Sequence, residues 1–166
     1  MNSLFAQLYL AVSNQIKQAV PEIKYIDQDL GQLEYYKDRP AVDFPCVLIE
    51  FPTASFQEEG QHTQWANVSV QIRLGFEPWS SANADAPPEV KENALEYYEL
   101  EHKLFMALQH FDADGLIQPM IRMSAATERR EDVYRVRELI FSTATEDDSV
   151  QIPARKKSAN LELTSD

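Results

Sequence analysis

Apolar and polar positions alternate without a break from Asn67 to Glu77. Val68, Val70, Ile72, Leu74 and Phe76 fall on one side, and Asn67, Ser69, Gln71, Arg73, Gly75 and Glu77 on the other. Successive side chains of a strand point to opposite faces, so the stretch predicts a β-strand with one buried side. Fully burying each such apolar side chain contributes roughly 1.5–3 kcal/mol, an upper bound because the unfolded chain already hides part of it. The sheet that holds this strand is the expected core.

Helical periodicity frames it. Leu4, Phe5, Leu8, Val12, Ile16 and Ala19 recur at three- and four-residue spacing and predict a helix over 2–19, with Asn2 or Ser3 as N-cap and Pro21 closing it. A short strand around Ile23, Tyr25 and Ile26 and a turn at Gly31 lead to Gln32-Leu33-Glu34-Tyr35-Tyr36 and a polar connection containing Pro40. Pro45 to Phe51 is apolar enough for a strand buried on both faces. Thr53 to Gln57 continues it outward, Glu59-Gly60 supplies a turn, and Gln61 to Ala66 leads back. The outer arm of this hairpin, about Ser55 to Gln64, is polar apart from Phe56, with Trp65 at its base.

Pro78 ends the long strand, and a loop through Trp79 reaches Pro87-Pro88. A second helix is predicted over 88–110 from the stripe Tyr97, Leu100, Leu104, Ala107, Leu108 and Phe111, with Gly115 as left-handed terminator. Strands over 117–127 and 133–145 form a second hairpin about the charged turn Glu128 to Asp132. The expectation is an α+β fold in the order α-β-β-β-α-β-β. It has an antiparallel sheet with two long hairpins and two helices packed on one face. Residues 1–145 make a single domain and 146–166 a loose tail.

Composition narrows the function. A length of 166 residues with 44% hydrophobic content suits one folded domain. The apolar runs are too short for a membrane span, and Met-Asn-Ser-Leu-Phe lacks a secretory signal. The single cysteine, Cys46, excludes an internal disulfide. A formal charge of −12 repels a phosphate backbone, which disfavours a general nucleic-acid binder. The clusters Arg129-Arg130 with Arg135 and Arg137, and Arg155-Lys156-Lys157, read as solvated faces or salt-bridge partners.

Each candidate for chemistry has a plainer reading. Cys46 lies among Val, Leu and Ile neighbours, away from His62, His102 and His110, and behaves as a small buried hydrophobe. Glu99 and His102 stand one helical turn apart, yet a di-iron site needs a second such motif. Asp112-Ala-Asp114-Gly115 starts like a calcium loop, but its twelfth position is Met123 rather than glutamate. Asn67-Val-Ser69 is a sequon on a strand. No catalytic, cofactor or metal site is expected, and the protein is read as a non-enzyme. Trp65, Trp79, Tyr35 and Tyr36 are aromatics of the kind enriched at interfaces, or core edge.

The order of signals carries a resemblance. A first helix closed by Pro21 precedes Tyr25-Ile-Asp-Gln-Asp-Leu-Gly-Gln-Leu-Glu34, Arg39-Pro40 and Phe44-Pro-Cys-Val-Leu-Ile-Glu-Phe51. Then come the long alternating strand, a second helix and a terminal hairpin. Over about residues 4–145 this resembles the tail-terminator or tail-completion proteins of long-tailed phages and prophages. The resemblance implies a structural subunit, made in the host cytoplasm and carried in the virion tail. It self-assembles as a ring, commonly a hexamer, between tail tube and neck proteins, with DNA only as passing cargo. The interaction surface expected on that basis is Phe56, Gln57, Gln61, Gln64, Trp65, Gln71, Arg73 and Trp79. Alternatives are a secretion or contractile-injection component on the same scaffold, or a small acidic metal-dependent enzyme using Glu96, Glu99 and His102.

Overall fold

The computed structural model describes residues 3–35, 41–60, 63–77, 85–132 and 134–148. Its elements are α1 (Leu4–Ala19), β1 (Tyr25–Gln28), β2 (Cys46–Glu50), β3 (Ala54–Gly60), β4 (Thr63–Phe76), α2 (Pro88–Leu108), β5 (Ile121–Thr127) and β6 (Arg135–Asp147).

The six strands form one sheet in the order β1-β2-β4-β6-β5, with β3 paired to β4. β4 is its axis. One edge pairs antiparallel with β6 along its full length, from Gln64 opposite Asp147 to Phe76 opposite Arg135. The other edge is shared: β2 takes Gln71 to Gly75 and β3 takes Thr63 to Val68. The fold is α+β, as the pattern predicts, and both helices lie on one face.

Four details depart from expectation. β1 runs parallel to β2, with Tyr25 opposite Cys46, so the sheet is not purely antiparallel. A parallel neighbour needs a crossover connection, and the long segment between Gln28 and Cys46 supplies it. Second, Thr53 to Gln57 does not continue β2. Pro52 has no N–H to give, the ladder breaks, and β3 resumes pairing with β4 where the Ser69 N–H donates to the Thr53 carbonyl at 2.9 Å. Third, α2 ends at Leu108, and the left-handed residue after it is His110 (φ +64), whose N–H donates to the Met120 carbonyl at 2.8 Å. Gly115 (φ +86) serves the turn that follows. β6 also runs two residues past the expected strand end at Thr145, through Glu146 and Asp147. Of the expected tail, residues 149–166 lie outside the described residues.

The core sits between the helices and one side of the sheet. Leu8, Val12 and Ile16 of α1 and Leu100, Leu104 and Leu108 of α2 cover Val68, Val70, Ile72, Leu74 and Phe76. The Gln15 amide donates across to the Ala107 carbonyl at 2.9 Å and ties the two helices together. A smaller cluster of Leu33, Cys46, Leu48 and Val136 covers part of the opposite side, edged by Phe44 stacked on Tyr134 at 5.0 Å. β4 records both covers: exposure alternates from Trp65 to Val70, and everything from Ile72 to Phe76 is buried.

Candidate interaction surface

One end of the sheet forms an arm built from β3, the first half of β4 and the end of β6. All of β3 except Ala54 is exposed. Gly60 takes φ +92 with open space around it, as a tight return requires. Phe56 stands opposite buried Ala66, is 46% exposed, and lies on the helix-bearing side of the sheet. Trp65 is half-buried on the other side, between Gln57 and Glu146. Gln64 is exposed between Glu58 and Asp147. The arm thus ends in carboxylates from two strands, a feature that sequence reading misses because Glu146 and Asp147 fall in the expected tail.

Of the expected surface residues, the arm therefore gathers Phe56, Gln57, Gln64 and Trp65. Gln61 and Trp79 lie outside the described residues. Gln71 is half-buried farther along β4, where its amide donates to Glu138 at 3.1 Å.

Arg73 is a different case. It is 7% exposed. Its Nε donates to Glu128 at 2.6 Å and its Nη1 to Asp29 at 2.7 Å, while Nη2 meets Glu34. The segment around Leu33 and the turn after β5 close over this side of β4 and take the guanidinium inside. Arg130 joins the group, donating to Glu34 at 2.9 Å, to Glu128 at 3.1 Å and to the Leu33 carbonyl at 2.8 Å, and pairing with Asp132. Burial alone would raise the carboxyls of Glu34 and Glu128; hydrogen bonds and charge from the two arginines outweigh it and hold both below the usual range. Arg73 is thus a structural tie rather than an open contact residue.

Arg137 and Arg135 of the second hairpin are similarly occupied. Arg137 donates to Glu101 at 3.0 Å, and Arg135 lies 3.9 Å over the Tyr97 ring. Arg129 is exposed. The salt-bridge reading holds for Arg130 and Arg137.

Cys46 is fully buried, and burial pushes its thiol up to about 12, so no thiolate is present near neutrality. Glu99 and His102 are exposed on α2. Glu96 lines a cleft of about 460 Å³ with Phe44, Pro45, Phe76, Tyr97 and Leu100. Among the described residues, no group of three or more His, Cys, Asp or Glu side chains is placed to hold a metal ion. No helix there is long and apolar enough to cross a membrane.

On β5, sequence reading misses Ile121 and Met123, which are 51% and 66% exposed. A bulge between Arg122 and Ser124 disturbs the alternation that would have assigned their side.

No family model and no curated protein matches the chain. Among solved structures, a chain described as "Virion of native gene transfer agent (GTA) particle" is similar over 87% of this chain and 92% of its own length, at 13% identity and a TM-score of 0.40. A likeness at that level carries no argument about function.

Proposed function

We propose that this protein is a non-enzymatic structural subunit of a phage or prophage tail: a tail terminator or head–tail completion protein that works as a ring. The arm is the observation that carries the reading. In the ribbon of β3, β4 and β6 the β3 strand is exposed along almost its whole length, while the residues the ribbon buries, Thr63, Ala66, Thr143 and Thr145, lie on β4 and β6. Such an element is used by contact with another molecule. The order of elements that resembles the tail-completion proteins names that molecule as a neighbouring subunit, the tail tube and the neck.

Charge supports the same reading. A formal charge of −12 with Glu58, Glu59, Glu146 and Asp147 on the arm suits a channel wall that lets DNA pass without holding it. A secretion or contractile-injection ring would use the same surfaces, and neighbouring capsid and tape-measure genes distinguish the tail.

The test is electron microscopy of tails assembled without this protein, which should have abnormal lengths. Tails of normal, uniform length would overturn the assignment. A solved ring with a basic channel wall would overturn the channel role.

A further inference from the structure

The sheet leaves open edges on β3 and on β5, and these two match one another. Both edge strands, β3 and β5, are seven residues long. On β3 the Thr53 carbonyl bonds to β4, so by antiparallel alternation Ser55 and Gln57 also face β4, while the backbone groups of Ala54, Phe56 and Glu58 face outward. On β5 the Glu128 N–H bonds to the Val136 carbonyl, so Ser124 and Ala126 face β6, while Ala125 and Thr127 face outward. At the start of β5 the outward Arg122 N–H is already taken by the Gln109 side chain at 3.0 Å. Among the described residues, nothing takes the outward groups of Phe56 or Ala125.

Open edges invite pairing with another chain, and soluble proteins usually guard them with lysine or proline. Neither strand contains either residue. Their bulges, between Glu58 and Gly60 and between Arg122 and Ser124, confine the smooth stretches to Ala54–Glu58 and 124–127. Large apolar groups stand exposed on both strands: Phe56 at 46%, Ile121 at 51% and Met123 at 66%. The charges are opposite, with Glu58 and Glu59 on β3 and Arg122 on β5 followed by exposed Arg129.

We infer that β3 of one copy pairs with β5 of the next, joining successive sheets into one continuous ring sheet. The occupant of each edge is a second copy of this chain. Because the two edges are different surfaces, the contact is heterologous, the type that closes into rings. Main-chain hydrogen bonds join the subunits, with Phe56 and Arg122 on the helix-bearing side of the joint and Ile121 on the opposite side. The inference rests on the ring reading and specifies its interface.

Proline substitution tests it, because proline removes one outward N–H while leaving the inner ladder intact. Wild-type protein should show rings by negative stain and a matching mass by sedimentation. Phe56→Pro and Ala125→Pro should each sediment as single chains with unchanged circular dichroism and thermal midpoint. Mixed in equal amounts they should form dimers and stop there, since only one good β3 edge and one good β5 edge remain per pair. Met123→Glu keeps the backbone whole at an exposed site and should weaken assembly at least tenfold; it decides the matter should a proline variant fail to fold. Wild-type rings from all three variants overturn the edge pairing and leave the ring reading standing. Dimers of Ala125→Pro alone overturn the heterologous contact. Wild-type protein that stays a single chain at every concentration overturns the ring reading and the pairing with it.

Discussion

Cys46 and Gly75 face each other across β2 and β4, and a Cβ placed on Gly75 would lie 2.8 Å from the Cys46 sulfur. It would also approach Phe44 at 3.3 Å and Leu33 at 3.4 Å. The glycine is there for space, since its backbone is ordinary strand. The thiol and its neighbours fill the volume that a side chain would need, and the small second cluster closes over β4 because of it.

Gly75→Ala is therefore expected to destabilise the fold by about 1–3 kcal/mol, the usual cost of overfilling a packed site. Cys46→Ala removes the nearest atom, so in that background the cost of Gly75→Ala should shrink by at least about 0.5 kcal/mol. Urea unfolding of the four proteins measures both. Equal costs in the two backgrounds would shift the conflict from the sulfur to Phe44 and Leu33.

Removing Arg73 strips a cation from Asp29, Glu34 and Glu128 together. Leaving a buried partner uncompensated costs about 3–5 kcal/mol. Side-chain exposures of 36% for Glu34 and 21% for Glu128 let water relieve part of that, so Arg73→Met should lie near the lower end, about 3 kcal/mol. Lysine cannot reproduce the fork that reaches three carboxylates, so Arg73→Lys should recover little. Urea midpoints at pH 7 decide this, and a loss below about 1 kcal/mol would mean that the cluster merely decorates the surface.

The same cluster sets an acid dependence. Glu34 and Glu128 are held below their ordinary values against burial, and Asp132 is lowered chiefly by its hydrogen bond from Arg130. A depressed folded pKa contributes stability that is complete above the unfolded value, about 4, and is lost as pH falls through the folded one. Unfolding free energy should therefore change little on this account from pH 7 to about 5 and drop below about 4. In Arg73→Met the drop should be shallower. Parallel acid profiles in the two proteins would remove the cluster as its source.

Local pattern carries side but not cover. The alternation from Asn67 to Glu77 places Val68 to Phe76 on the core side, and the structure agrees. It places Arg73 on the other side with equal certainty, yet the groups that bury Arg73 come from Glu34 and Glu128, which are 39 and 55 residues away. Nothing near Arg73 in the chain signals them. Strand direction is missing in the same way: Tyr25 to Gln28 reads as a strand, but its parallel run beside β2 depends on a connection without periodicity. The arm was legible because its signal is local, a polar stretch between two strand-forming ones. Its acidic end was not, because Glu146 and Asp147 join it only through register with β4.

That acidic end gives the last prediction. Glu146 is exposed on β6, outside the β3–β5 joint, so Glu146→Lys should shift stability by no more than about 0.5 kcal/mol. The exchange turns one negative charge per subunit into a positive one, repeated around a ring. If the arm faces the channel, DNA should leave particles carrying the variant more slowly at low salt. The difference should fade as salt rises, because screening shortens the reach of these charges to about 10 Å near 0.1 M. Release kinetics across a salt series read this directly, with the thermal midpoint as the control for folding. Slower release at low salt that vanishes at high salt places the arm on the DNA path; unchanged release at every salt concentration places it outside the channel.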